Sequence, residues 1–272
     1  MSVSKKWVLL MVLVFMSRSS VAGAELREIS ASARAEHINV RLLAHRLGER
    51  QYRIGVFFQP DAGWHVYWKN PGDTGLAPNF EWQLPKGARL SDLYWPFPER
   101  IPIAHLINYG YHEAMVMADL HLAADSDVTD LALKLDWLVC EQSCVPGDAE
   151  LALNARESNS EQQALFAYWQ QRIPREFKVL KAKLSADDGT LKIELYATSL
   201  LFKGASNIQV FIENDSVVDY GKAPELRWQN NYLRLTQALS EYFTSAPESL
   251  ALVIVLDHER AYRTDIPWQK AN

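Results

Sequence analysis

Trp137-Leu138-Val139-Cys140-Glu141-Gln142-Ser143-Cys144-Val145-Pro146-Gly147 contains both cysteines of the 272-residue chain. A strand advances about 3.3 Å per residue, so positions four apart on one strand would be roughly 13 Å apart, whereas a disulfide needs Cα atoms within about 7 Å. If Cys140 and Cys144 pair, the backbone turns between them, through one helical turn or a tight loop. An apolar run ends at Cys140 and Pro146-Gly147 follows Cys144, so the stretch reads as a strand that delivers a dithiol to a surface loop.

The flanking sequence is strand-like. Apolar residues alternate at Ile38/Val40/Leu42, Tyr52/Ile54/Val56/Phe58, Phe80/Trp82/Leu84, Val116/Ala118/Leu120 and Leu131/Leu133/Leu135/Trp137, the period of a half-buried strand. Turn residues separate these runs at Gln59–Gly63 and Lys69–Gly75. Trp95-Pro96-Phe97-Pro98 is an extended edge or connection, because proline has no ladder donor. Leu151 and Leu153 close the series. Asn154 to Gln163 is polar, and Ala164 to Gln171 fits a short helix. The alternation then resumes at Leu191/Ile193/Leu195, Ile208/Val210/Ile212, Leu233/Leu235 and Leu250/Leu252/Ile254. The fold class expected is all-β, two tandem immunoglobulin-like antiparallel β-sandwich modules. The boundaries expected are 25–155 for the module with the dithiol, 156–172 for a linker with a short helix, and 173–272 for the second module.

Lys5-Lys6, the apolar run Trp7 to Met16 and Ala22-Gly23-Ala24 follow the pattern of a cleavable secretory signal, residues 1–24. The run is too short to span a bilayer, which takes about 20 residues. Its removal takes away Lys5, Lys6 and Arg18 and no acid, moving the net charge from -5 to -8. This balance argues against nucleic acid. No later stretch suggests direct membrane insertion. The compartment expected is the periplasm, oxidising enough for paired thiols to become disulfides. No H-E-x-x-H, G-x-S-x-G or phosphate-cradling glycine loop is present.

Gly63-Trp64-His65-Val66-Tyr67-Trp68-Lys69-Asn70-Pro71-Gly72-Asp73-Thr74-Gly75, Trp95-Pro96-Phe97-Pro98, Asn108-Tyr109-Gly110-Tyr111 and the cysteine stretch occur in this order. Together they resemble the N-terminal periplasmic region of bacterial thiol:disulfide interchange proteins. The likeness is stronger to the copper-sensitivity-suppressor (ScsB) branch than to the DsbD N-terminal domain. It covers roughly Ala33 to Leu153 and is thin beyond residue 165. The resemblance implies an immunoglobulin-like sandwich whose cysteines pass electrons between a membrane partner and periplasmic thioredoxin-fold proteins. It makes Cys140 and Cys144 the redox pair, with Cys144 entering the mixed disulfide. It also implies an aromatic cap over the disulfide, for which Tyr111 and Trp68 are the candidates. Because the sequence ends at Asn272 without a membrane-embedded segment, a separate membrane electron donor is expected.

Three chemistries fit the dithiol. Exchange needs a sulfur exposed enough to be attacked in line. A static bridge in a non-catalytic adaptor is the second, though so short a ring constrains little chain. Binding of Cu(I) by Cys140 and Cys144 in a copper-tolerance role is the third, since soft thiolates select that ion; His112, Met115 and Met117 are the further ligands to consider, and methionines on a sheet face the plainer reading of that stretch. Glu141, beside Cys140, is either a solvated surface carboxylate or a supporting proton acceptor.

Overall fold

The computed structural model describes residues 31–153, 160–179, 181–196, 204–229 and 232–268. The expected leader, residues 1–24, lies outside them, as does 154–159. The first eleven strands are β1 (Ser32–Ala35), β2 (Ile38–Arg46), β3 (Gln51–Pro60), β4 (His65–Gly72), β5 (Asn79–Gln83), β6 (Arg89–Leu90), β7 (Glu99–Ile103), β8 (Leu106–Tyr111), β9 (Ala114–His121), β10 (Ala132–Cys140) and β11 (Cys144–Ala152). One sheet runs β1-β2-β3-β9-β6 and the other β11-β10-β4-β8-β7, with β5 also paired to β10.

The alternation seen in the sequence sets the faces. Val40 pairs with Phe58 and Leu42 with Val56, and Val56 in turn pairs with Val116, so these side chains share one face of the first sheet. Phe58 meets Phe80 edge to face at 6.3 Å, and Phe80 pairs with Leu135 on β10. That contact identifies the inner face of each sheet and makes the pair an antiparallel sandwich. The opposite face of the first sheet is also covered. Helix α1 (Ser160–Gln171) buries Phe166 and Trp169 against it; Trp169 lies 6.2 Å from Phe57, and Met115 and Phe166 converge over Gly55.

The second module contains β12 (Arg175–Glu176), β13 (Lys181–Asp187), β14 (Thr190–Tyr196), β15 (Ile208–Ile212), β16 (Glu225–Gln229), β17 (Tyr232–Ala238), β18 (Ser249–Leu256) and β19 (Arg260–Pro267). Its sheets run β12-β19-β18-β15 and β13-β14-β17-β16. In β18 every residue from Leu250 to Leu256 is buried, whereas a strand with one wet face would alternate. Part of the reason lies across the module junction. Phe211, paired with Val253, meets Tyr109 at 5.0 Å and Trp68 at 6.3 Å on the first module.

Polar groups at the same junction satisfy one another. The Asn70 side-chain amide donates to the Ile212 carbonyl (2.8 Å) and hydrogen-bonds the Tyr220 hydroxyl (2.9 Å), both buried. Lys69 pairs with Glu213 at 2.6 Å. Truncation of Asn70 would leave the Ile212 carbonyl and the Tyr220 hydroxyl without this partner, and unsatisfied buried groups cost about 1–3 kcal/mol each. Asn70→Ala is therefore expected to lower unfolding stability by roughly 2–3 kcal/mol in urea denaturation.

Candidate redox site

Strands β10 and β11 form a hairpin whose register runs without a break from Ala132 opposite Ala152 to Cys140 opposite Cys144. Three residues, Glu141, Gln142 and Ser143, close it, with the Glu141 N–H donating to the Ser143 carbonyl at 3.1 Å. The cysteine Cα atoms come within 4.1 Å and the two sulfurs are bonded. The turn demanded by the cysteine spacing is thus a hairpin tip. Pro146-Gly147 does not end the element, because both residues lie inside β11. An edge strand tolerates proline where its missing N–H would face solvent, and β11 is at the edge of its sheet. Gly147 is needed for space, since a Cβ there would come within 2.6 Å of the Trp137 ring.

The two sulfurs have unlike surroundings. Cys140 is 2 % exposed, while Cys144 is exposed at the hairpin tip. Cys140 is opposite His65 on β4, and the preceding pair is Val139 opposite Val66. Side chains alternate between faces, so His65 and Tyr67 share the outer face of the sheet with Cys140. The Tyr67 hydroxyl lies 3.8 Å from Cys144 Sγ. The Tyr67 ring packs against Gly75, whose φ of 94° and lack of a side chain leave the room; a Cβ there would overlap the ring at 2.1 Å. Buried Asn108 donates to the Tyr67 hydroxyl at 3.5 Å, and its Oδ1 accepts from the Thr74 amide (3.2 Å) and hydroxyl (2.9 Å). Burial raises the Tyr67 phenol above its ordinary value, with the bond to Thr74 acting the other way.

Tyr111 and Trp68, the cap candidates from sequence, point elsewhere. Tyr111 pairs with Val66 and so lies on the inner face, 3 % exposed, its hydroxyl donating to the Pro96 carbonyl at 2.6 Å. Trp68 shares that parity and packs at the module junction. Neither can cover Cys144, and the aromatic in contact with it is Tyr67. Glu141 is exposed, its carboxylate 3.1 Å from where a Cβ on Gly63 would lie. Met115 and Met117 are buried in the other sheet on the α1 side, away from the sulfurs. Among the described residues no cluster of three or more His, Cys, Asp or Glu is arranged to hold a metal ion.

His65 and Tyr67 were not singled out in the sequence as site residues. Their alternation with Val66 and Trp68 was visible, but the face turned to the cysteines follows from the pairing of β4 with β10. His65 is 1 % exposed, its ring 5.2 Å from that of Tyr67 and 6.4 Å from that of His112. His112 Nδ1 lies 3.0 Å from the Trp64 carbonyl. Burial, with the charge of His112 second, lowers the His65 pKa to about 4.

Two outcomes follow from this geometry. After reduction, iodoacetamide is expected to label Cys144 well before Cys140, read by peptide mass spectrometry over a time course. As pH falls from 6.5 towards 4, His65 takes up a proton in the unfolded chain but not in the folded one. Stability is therefore present in full above about pH 6.5 and is lost on the acid side, by on the order of 3 kcal/mol. Urea denaturation of oxidised protein across this range should show that loss, and His65→Phe should remove it.

Comparison with known proteins agrees with the fold. Residues 44–156 match the family model described as thiol:disulfide interchange protein DsbD, N-terminal. The search of curated proteins returns no match. Among solved structures, the N-terminal periplasmic domain of ScsB from Proteus mirabilis superposes with a TM-score of 0.65 at 19% identity, covering 88% of this chain and 98% of that one. The shared fold therefore extends into the second module, where the sequence likeness was thin. The yeast GGA1 GAE domain (TM-score 0.28, 13% identity, 45% of this chain and 96% of that one) and a conserved domain protein from Bacillus anthracis (0.20, 10%, 89% and 90%) are too distant in arrangement to bear on it. The segment that carries the hairpin, its two sulfurs and the tyrosine against them, residues 44–156, is thus the part of the chain similar to the N-terminal domain of DsbD thiol:disulfide interchange proteins.

Proposed function

We propose that the chain is a periplasmic electron-transfer component that cycles Cys140 and Cys144 between dithiol and disulfide with thioredoxin-fold partners, and that a separate membrane protein supplies the electrons. The observation that carries this reading is the asymmetry of the bridge: Cys144 is exposed at a hairpin tip and Cys140 is covered. Exchange needs one sulfur accessible to another protein and a second held next to it to finish the reaction.

In the forward direction the Cys144 thiolate attacks one sulfur of a partner disulfide. A mixed disulfide forms and the partner's other sulfur leaves as a thiolate that takes a proton. Cys140 then attacks Cys144 Sγ, the mixed disulfide breaks, and the partner departs as a dithiol while the Cys140–Cys144 bridge re-forms. Two electrons pass to the partner, and the membrane donor returns two to the bridge. Tyr67 partly covers Cys144 in the closed bridge, and its hydroxyl is within reach of a thiolate formed there. The second module holds the strand that bears Tyr67 through Asn70 and Lys69.

The test is covalent trapping. Cys140→Ala, with Cys144 free, should accumulate a mixed disulfide with a thioredoxin-fold protein of the periplasm, seen as a shifted band that dithiothreitol abolishes. Cys144→Ala should trap far less, because the remaining sulfur is buried. If neither single-cysteine variant forms such an adduct, the exchange reading fails.

A further inference from the structure

His65 is buried and both its ring nitrogens lack a hydrogen-bond partner among the described residues. The other described side chains in that condition each have a single such atom, the indole nitrogens of Trp68, Trp137 and Trp169 and the Arg41 Nε. A buried imidazole with neither nitrogen satisfied calls for an explanation. Its position supplies one, since His65 is directly opposite Cys140 across an antiparallel pair. Side chains so paired have Cβ atoms about 4.5–5.5 Å apart. In the oxidised state Cys140 has no hydrogen to give, because its sulfur is bonded to Cys144. In the reduced state it has one.

We infer that His65 is the proton acceptor for Cys140, hydrogen-bonded to its thiol when the bridge is open and taking the proton as that sulfur attacks Cys144. This inference rests on the exchange reading and adds the step that reading leaves open, how a covered thiol loses its proton. The S–H bond of Cys140 breaks, its electron pair forms the bond to Cys144 Sγ, and the mixed disulfide breaks with its pair on the partner's sulfur. The proton passes from Cys140 to His65, and from His65 to the departing thiolate. The oxidant is the partner's disulfide, and no other reactant is needed. Neutral His65 is an acceptor, and the thiolate formed beside it supplies the negative charge the ring lacks in the oxidised protein, so the two ionise as a pair. The other titratable groups around this pair are Tyr67 from β4, Cys144 from β11, His112 from the turn between β8 and β9, and Glu141 from the hairpin tip. Of these, His112 opposes the charging of His65. His65 is thus a positioning and proton-accepting residue acting on Cys140.

The experiment uses the reduced chain and 5,5′-dithiobis(2-nitrobenzoate), an aromatic disulfide that releases a coloured thiolate at each step. The first release reports attack by Cys144 and the second its resolution by Cys140. In His65→Phe the second phase is expected to slow by about tenfold or more at pH 7, with the first phase within twofold of wild type. The deficit should close at pH 10, where a thiol of ordinary pKa near 8.5 ionises unaided. A second phase within twofold of wild type at pH 7, or a deficit that persists unchanged at pH 10, overturns the inference. Should His65→Phe not fold, the imidazole ¹⁵N resonances of the wild type decide: they are expected to shift between oxidised and reduced protein, and identical shifts overturn it. Because the small disulfide replaces the partner, failure here leaves partner exchange to be judged by the Cys140→Ala trap alone.

Discussion

The site depends on the antiparallel register that joins β4, β10 and β11. Once Cys140 is opposite Cys144 on one side and His65 on the other, period-two alternation decides the rest. His65 and Tyr67 accompany the sulfurs on the outer face, and Val66, Val139 and Tyr111 go to the core. A slip of one residue between β4 and β10 would exchange these sets, turning the imidazole into the sandwich core and valine towards the bridge. The apolar inner face penalises that slip, so the packing of the core also holds the chemistry in place.

The same arrangement gives unlike surroundings to two sulfurs only four residues apart. The hairpin tip carries Cys144 to the surface, while Cys140 remains in the ladder beneath His65. A sulfur in the open can meet another protein, and a covered one can meet only its neighbour. Tyr67, packed on Gly75, sets its hydroxyl 3.8 Å from Cys144 Sγ. Its support runs back through Asn108 and Thr74 to the 72–75 turn.

The second module has no cysteine, yet it is joined to the strand that bears the site. Trp68 and Tyr109 meet Phe211, and Asn70 and Lys69 bond to the 212–213 backbone and side chain. Of these, Trp68, Lys69 and Asn70 directly follow Tyr67 in β4. The strand whose tyrosine contacts the surface sulfur is thereby anchored at its far end by a buried interface.

Much of this was legible from residue order. The paired cysteines required a turn, the alternation in Ile54/Val56/Phe58 and Leu133/Leu135/Trp137 required half-buried strands, and the ordered motifs from Gly63 to Gly147 pointed to the interchange family. In Leu250/Leu252/Ile254 the sequence showed only the alternation of a half-buried strand, and the burial of every residue from Leu250 to Leu256 emerged with the module junction. What lay beyond reach was long-range. Tyr111 and Trp68 look like cap residues in sequence because they are aromatic and near the motif, and Tyr67 looks no different. Sequence by itself determined which residues alternate, where the chain turns and that two sulfurs can join. Only the tertiary structure decided which alternating set faces them, because that depends on register between strands some seventy residues apart, set by the packing of the whole core rather than by any local preference.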